Sequence, residues 1–275
     1  MTPSMDLEGL RAFYDRPVDA VLADADAPRA HEALLLALEA GALRAAEPDG
    51  QGGWRANAWV KQAILCGFRR TQLAEQPGPG FPMFDKTAYP ARALSLDDQV
   101  RLVPGGSAIR RGAHVAPGVV VMPPAYVNVG AWVGPGTMID SHALVGSCAQ
   151  VGARVHLSAG AQVGGVLEPA GAVPVVVEDD AFVGGLVGLF EGVRVRARAV
   201  IAAGVVLTGS TVLHDLVRGR QVVREVPEGA VVVPGTRPAT GAYARERGIA
   251  LAAPVIVKYR DGKTDAATVL EQALR

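Results

Sequence analysis

Five histidines, two cysteines and scattered carboxylates are the side chains of this chain that could move a proton or attack a carbonyl. The histidines are His31, His114, His142, His156 and His214. An imidazole titrates near neutrality and can serve as a general base, and His142 and His156 are the candidates for that role. With His114, the same two could instead supply ligands from facing subunits to the zinc of a metal-dependent hydratase. Cys148 is a nucleophile on paper, Cys66 has no histidine near it in sequence, and an unreactive cysteine packs as a small hydrophobe. The chain has no Gly-rich phosphate loop, HExxH pair or GxSxG elbow.

The elements that must hold these groups follow a period of six. An aliphatic residue returns at Ile109, Val115, Val121, Val127, Val133, Ile139, Val145, Val151, Leu157 and Val163, and again at Val177, Val183, Leu189, Val195, Ile201, Leu207 and Leu213. Glycine often stands three residues later, as at Gly112, Gly118, Gly130, Gly136, Gly160, Gly192 and Gly204. Six fits neither the 3.6 of a helix nor the 2 of an isolated strand. It fits a hexapeptide solenoid, in which six residues make one short strand and one turn, and three such units close a triangular coil. Within that repeat His114, His142 and His156 fall five, three and five residues after their aliphatics, so they do not share one edge. The fourteen residues between Val163 and Val177 are one step plus an eight-residue insertion, which is expected to project as a loop.

Helical patterning precedes the coil, over Pro28 to Ala46 and Trp54 to Arg70. Trp59, Ala63 and Gly67, spaced by four, predict one tightly packed helix face. Gln76-Pro-Gly-Pro-Gly-Phe-Pro reads as a loop, and Val100-Arg-Leu-Val enters the coil. After the coil come an arginine-bearing excursion from His214 through Arg224, strands at Ala230-Val-Val-Val and Val255-Ile-Val-Lys-Tyr, and a terminal helix over Thr264 to Arg275. The predicted division is a helical N-terminal domain with its linker over 1–98, a β-helix over 99–234 and a small α/β cap over 235–275.

Composition narrows the function classes. Charges balance at net +0, which gives no electrostatic footprint for nucleic acid or an anionic membrane. Only 2 cysteines and no CxxC point to a reducing compartment. There is neither an N-terminal signal pattern nor an apolar run of about 18 residues, so a cytoplasmic protein is expected.

Several stretches closely resemble the tetrahydrodipicolinate N-succinyltransferase family: Tyr126-Val-Asn-Val-Gly, Gly136-Thr-Met-Ile-Asp-Ser, Val145-Gly-Ser-Cys-Ala-Gln-Val-Gly, Val155-His-Leu-Ser-Ala-Gly and Val163-Gly-Gly-Val-Leu-Glu-Pro. Weaker matches lie at Ala40-Gly-Ala-Leu-Arg, Trp59-Val-Lys and Ala253-Pro-Val-Ile-Val-Lys. The resemblance implies a mainly β fold, namely a left-handed parallel β-helix with a helical N-terminal domain, assembled as a homotrimer. It implies small-molecule substrates, with succinyl-CoA as donor, a ring-opened amino-oxo-dicarboxylate as acceptor, and no metal. By position, the arginine that binds the acceptor's carboxylate falls on Arg101 and the aspartate that contacts the acceptor on Asp140. An arginine fork matches a carboxylate, and a carboxylate can orient an amine and accept its proton. Asn128 and Ser147 are further candidate acceptor contacts, and Gly165, Ala203, Gly204 and Lys258 candidate contacts to coenzyme A.

The pattern departs after the insertion. Where the family commonly reads Gly-Ala-Arg-Ser-Glu-Val-Val-Glu-Gly, this chain reads Gly184-Gly-Leu-Val-Gly-Leu-Phe-Glu-Gly. Leu186 replaces the arginine, Gly188 the first acid, and Glu191 remains as the second candidate catalytic residue. His142 stands where the family commonly has tryptophan. The expected function is a CoA-dependent N-succinyltransferase of lysine and diaminopimelate synthesis. The alternatives are an acetyl-CoA-dependent enzyme on the same or a related amino dicarboxylate, the metal-dependent hydratase, and a non-catalytic trimeric scaffold.

Overall fold

The computed structural model describes residues 5–76 and 82–262. Each register aliphatic from Ile109 to Leu207 is the second residue of a two-residue strand, the series running from Ala108–Ile109 through His114–Val115 to Val206–Leu207. These aliphatics are buried in one continuous core, because successive side chains of a strand face opposite sides. Each strand pairs in parallel with those one coil away: Trp132 and Val133 lie between His114 and Val115 on one side and Gln150 and Val151 on the other. The pairings form three sheets, the faces of a left-handed parallel β-helix. The first face carries residues 114, 132, 150, 176, 194 and 225 outward; the second 101, 120, 138, 156, 182 and 200; the third 108, 126, 144, 162, 188 and 206.

The corners explain the glycines. At most corners the position three after the aliphatic has positive φ, 76° at Gly112 and 71° at Gly160. The same corner is filled by His142 (63°), Cys148 (66°), Arg154 (54°), Asp180 (58°), Leu186 (59°) and Arg198 (59°). A left-handed residue with a Cβ costs on the order of 1–2 kcal/mol, which stacked backbone bonds must offset. At His142 the amide donates to the Pro124 carbonyl one coil away.

A second core lies beside the coil. It is built from α1 (Leu7–Tyr14), α2 (Val18–Ala23), α3 (Ala27–Glu39) and α4 (Ala58–Arg70), with Val129 and Cys148 of the coil joining Leu10, Leu34, Leu38 and Ile64. The Asp6 side chain caps α1 by accepting from the Gly9 amide. α3 ends well before Ala46 because Gly41 takes φ 73° and its amide turns back to Leu38. A Cβ on Gly41 would come 2.7 Å from the His114 ring, so the sharp stop also seats the helix on the coil. Trp54–Ala56 is not helical: it pairs with Ala46–Pro48 across a turn in which Asp49 Oδ1 accepts from the Gln51 and Gly53 amides. The expected tight face of α4 is present. Ala63 is fully buried, and at Gly67 a Cβ would lie 2.3 Å from the Tyr89 hydroxyl. Leu73–Gln76 and Met83–Lys86 pair antiparallel on either side of the expected loop, whose residues 77–81 lie outside the described ones.

At the far end the arginine-bearing excursion is a hairpin, Val212–Asp215 with Arg220–Val223. Val255–Tyr259 inserts between Val212–Asp215 and Ala230–Val233. α5 (Ala242–Arg247) follows Ala230–Val233 in the chain, and the helix read over Thr264–Arg275 lies outside the described residues. Asp215 is buried there and accepts from the Tyr259 hydroxyl (2.8 Å), the Arg218 and Val217 amides and Arg220. Burial pushes its carboxyl up, but those bonds outweigh burial and hold it below the ordinary aspartate range. A depressed folded pKa adds stability at neutral pH that is lost as pH falls below about 4. Calorimetry from pH 7 to 3 should show that acid loss in the wild type, and a lower but flatter profile in Asp215→Asn.

Candidate active site

Every expected site residue except Arg101 and Lys258 lies at a corner, and the repeat sorts the corner residues onto two edges. Along the edge between the third and first faces, Ser147, Gly165 and Glu191 occupy the same position of successive coils. The stacking is close: a Cβ on Gly165 would lie 2.5 Å from the Ser147 amide nitrogen. Glu191 has φ 55°, and its Oε2 accepts from the Gly209 amide one coil on (3.1 Å). Asn128 lies one coil before Ser147, its Oδ1 accepting from the Val129 amide (2.8 Å) and Arg110 (3.3 Å). The insertion folds back over this edge, where the buried Lys61 of α4 donates to the Ala172 carbonyl. Between insertion and edge is a cavity of about 600 Å³ lined by Gly165, Glu168, Phe190, Glu191 and Arg224.

The second group lies on the second face and the edge that follows it. Asp140 is half-buried there, and its Oδ1 accepts from the Ser141 amide (2.7 Å). The other oxygen has no hydrogen-bond partner among the described residues. Arg101 pairs with Val120, and Val120 with Met138, which puts the Arg101 backbone about 10 Å from that of Met138 at ordinary strand spacing. The Arg101 side chain is exposed and has no ion pair among the described residues. Ala203 and Gly204 lie further along this edge, and nothing stands within 4 Å of a Cβ built on Gly204. Lys258 extends the same face beside Val231, with its Nζ 3.5 Å from Asp261.

The chain therefore assembles two groups. Arg101, Asp140, Ala203, Gly204 and Lys258 share one side of the prism, and Asn128, Ser147, Gly165 and Glu191 share an edge. The third face separates them, so Asp140 and Glu191 do not meet within one chain.

The histidines disperse. His114 lies on the first face, stacked on Trp132 (5.1 Å between centroids) and donating through Nδ1 to the Glu39 carbonyl. His156 is buried on the second face against Phe182, and His142 is exposed at its corner. Burial pushes the imidazoles of His31 and His114 below their ordinary value, so both are neutral at pH 7. The two cysteines are free and buried. Burial raises the Cys66 thiol and pushes Cys148 up to about 12, so neither supplies a thiolate. Iodoacetamide at pH 8 should leave both unmodified in the native protein by mass spectrometry and label both in guanidinium. Rapid native labelling of Cys148 would reopen a covalent route.

Residue type alone gives Phe190 no role. Gly188 is outward on the third face between Gln162 and Val206, and a Cβ on it would lie 2.6 Å from the Phe190 ring. The ring thus covers the position where the family pattern carries an acid. The i, i+2 spacing was the available signal, since alternate residues of an extended segment share a side. Gly188→Glu alone should lower Tm, and Gly188→Glu with Phe190→Val should recover it. If only the double variant gains activity on tetrahydrodipicolinate, the pair sets the pocket; equal Tm values for both would remove Phe190 from the account.

Comparison with known proteins agrees along the chain. Residues 12–69 match the family model described as tetrahydrodipicolinate N-succinyltransferase N-terminal, and residues 174–209 that of the hexapeptide repeat of succinyl-transferase. The chain is 44% identical over 273 residues to the 2,3,4,5-tetrahydropyridine-2,6-dicarboxylate N-succinyltransferase of Rhodopseudomonas palustris strain TIE-1, covering 96% of this chain and 95% of that one. It is 43% identical over 251 residues to the protein of the same name from Paramagnetospirillum magneticum, covering 89% and 88%. Among solved structures, a putative 2,3,4,5-tetrahydropyridine-2-carboxylate N-succinyltransferase from Campylobacter jejuni superposes with a TM-score of 0.57 at 15% identity. That match covers 86% of this chain and 63% of the length of the Campylobacter protein, and it bears on the fold alone.

Proposed function

The chain belongs to the tetrahydrodipicolinate N-succinyltransferase family, and on that premise we propose a CoA-dependent N-acyltransferase that moves succinyl from succinyl-CoA to the ring-opened form of tetrahydrodipicolinate. The product enters lysine and diaminopimelate synthesis. Within this reading, the single observation that carries the site is an exposed Arg101, without an ion pair among the described residues, on the same side of the prism as the half-buried Asp140. Arg101 holds an acceptor carboxylate through a paired fork. Asp140 orients the amine and takes its proton as the nitrogen attacks the thioester carbonyl. The carbon–sulfur bond then breaks and coenzyme A leaves as the thiol. Backbone amides stabilise the oxyanion, which requires no particular side chain.

The site is completed between chains. In a closed trimer of about three times 28.5 kDa, the Asp140 side of one prism faces the Glu191 edge of the next. Leu186 and Val206, 74% and 52% exposed on the surfaces that would meet, favour such packing. The pantetheine arm runs along the junction, past Gly165 on one side and Ala203 and Gly204 on the other, with Lys258 toward the nucleotide end. No helix among the described residues is long and apolar enough to cross a membrane, and we place the enzyme in the cytoplasm. Thiol release with tetrahydrodipicolinate should be at least about tenfold faster from succinyl-CoA than from acetyl-CoA. The reverse preference would make the enzyme an acetyltransferase.

A further inference from the structure

The first face and the edge that follows it carry none of the residues assigned above, yet they border a cavity of about 690 Å³. Its walls are Arg44 and Trp54 of the N-terminal region and Trp132, Glu178, Asp179 and Arg196 of the coil. Arg44 is half-buried, its guanidinium carbon 3.8 Å above the centre of Trp132 and 5.2 Å from that of Trp54. Its Nε donates to Gln150 Oε1 (2.9 Å), and Gln150 is fully buried and fixed by its own bond to the Cys148 carbonyl. The guanidinium is therefore held rigidly, while its two terminal nitrogens have no acceptor among the described residues. Buried charges are ordinarily paired. Burial pulls this arginine down to about 10, against the attraction of Glu47 and Asp179.

Of the two acids in the cleft, Glu178 is fully engaged: it accepts from Trp54 Nε1 and the Ala197 amide and pairs with Arg196. Asp179 is not. Its Oδ1 accepts from the Ala153 amide, but its Oδ2 is 3.8 Å from Arg154, too long for a hydrogen bond. Arg44 and Asp179 sense each other's charge without forming an ion pair.

We propose that this cleft binds a free α-amino acid, with its carboxylate on the open fork of Arg44, its ammonium on Asp179, and its side chain along the Trp54 indole, since Arg44 and His114 cover the two faces of Trp132. The molecule supplies the hydrogen-bond partners that the terminal nitrogens of Arg44 and Oδ2 of Asp179 lack among the described residues, and the indole wall takes up its aliphatic part. A simple anion fits less well, because Asp179 and Glu178 face the same space.

The test is calorimetric titration of the whole protein with L-leucine and with L-lysine, followed in parallel by tryptophan fluorescence. 4-Methylpentanoate, lacking the amine, and isoamylamine, lacking the carboxylate, are the comparison probes. Saturable binding of at least one amino acid is expected, with both comparison probes at least about tenfold weaker. Asp179→Asn, at an exposed position that spares the stacked arginine, should weaken binding about tenfold and leave acyl transfer unchanged; Arg44→Gln should abolish binding. The proposal is overturned if neither amino acid binds, if 4-methylpentanoate binds as well as leucine, or if Asp179→Asn has no effect on binding. A parallel loss of acyl transfer in Asp179→Asn would also overturn it, since the ligand would then occupy the substrate site.

Discussion

Asp140→Asn is expected to cut turnover by about 10²-fold or more while leaving Tm within a degree or two of the wild type. The magnitude follows from losing a group that accepts the amine proton during attack. Asparagine keeps the size of the side chain and the acceptor that the Ser141 amide requires. The corner therefore stays folded, and only the proton-accepting oxygen is lost. The loss should fall on kcat, since an interaction made in the transition state does not show in ground-state binding. Near-normal turnover would reduce Asp140 to a corner residue satisfied by backbone.

Arg101→Ala should raise the acceptor KM, leave the succinyl-CoA KM nearly unchanged, and cost about 2–4 kcal/mol in kcat/KM, the range for truncating one partner of a desolvated charge pair. The arginine makes no ion pair among the described residues, so its removal strands no buried carboxylate and stability should hold. Equal loss of affinity for donor and acceptor would move Arg101 to the phosphates of coenzyme A.

How far such sites can be read from sequence depends on the length of the pattern. The six-residue period was legible because each aliphatic from Ile109 to Leu213 has the same job, filling the continuous core inside the coil. The ends of α3 and α4 were less so. Gly41 stops α3 by taking a left-handed turn that the His114 ring requires, and Trp54 joins a strand whose partner, Ala46–Pro48, has no alternation of its own. Site residues were named from motifs, but their grouping was not evident. Asp140 lies one residue after its aliphatic, and Ser147 and Glu191 lie two after theirs. The edge each occupies depends on counting three units per coil and allowing for the insertion. Phe190 is not legible in the sequence because its effect is on the space above Gly188, not on chemistry of its own.

In the proposed assembly the Asp140 side of one chain completes the Glu191 edge of another. Its most direct test is to unfold Asp140→Asn and Glu191→Gln together, refold them as mixed trimers, and measure thiol release from succinyl-CoA. Each variant alone should be nearly inactive, and the equimolar mixture should recover about a quarter of wild-type turnover, the fraction of interfaces that pair two intact halves in random trimers. A mixture no more active than its separate components, in trimers shown by mass spectrometry to contain both chains, would contradict the claim, as would a fully active Glu191→Gln.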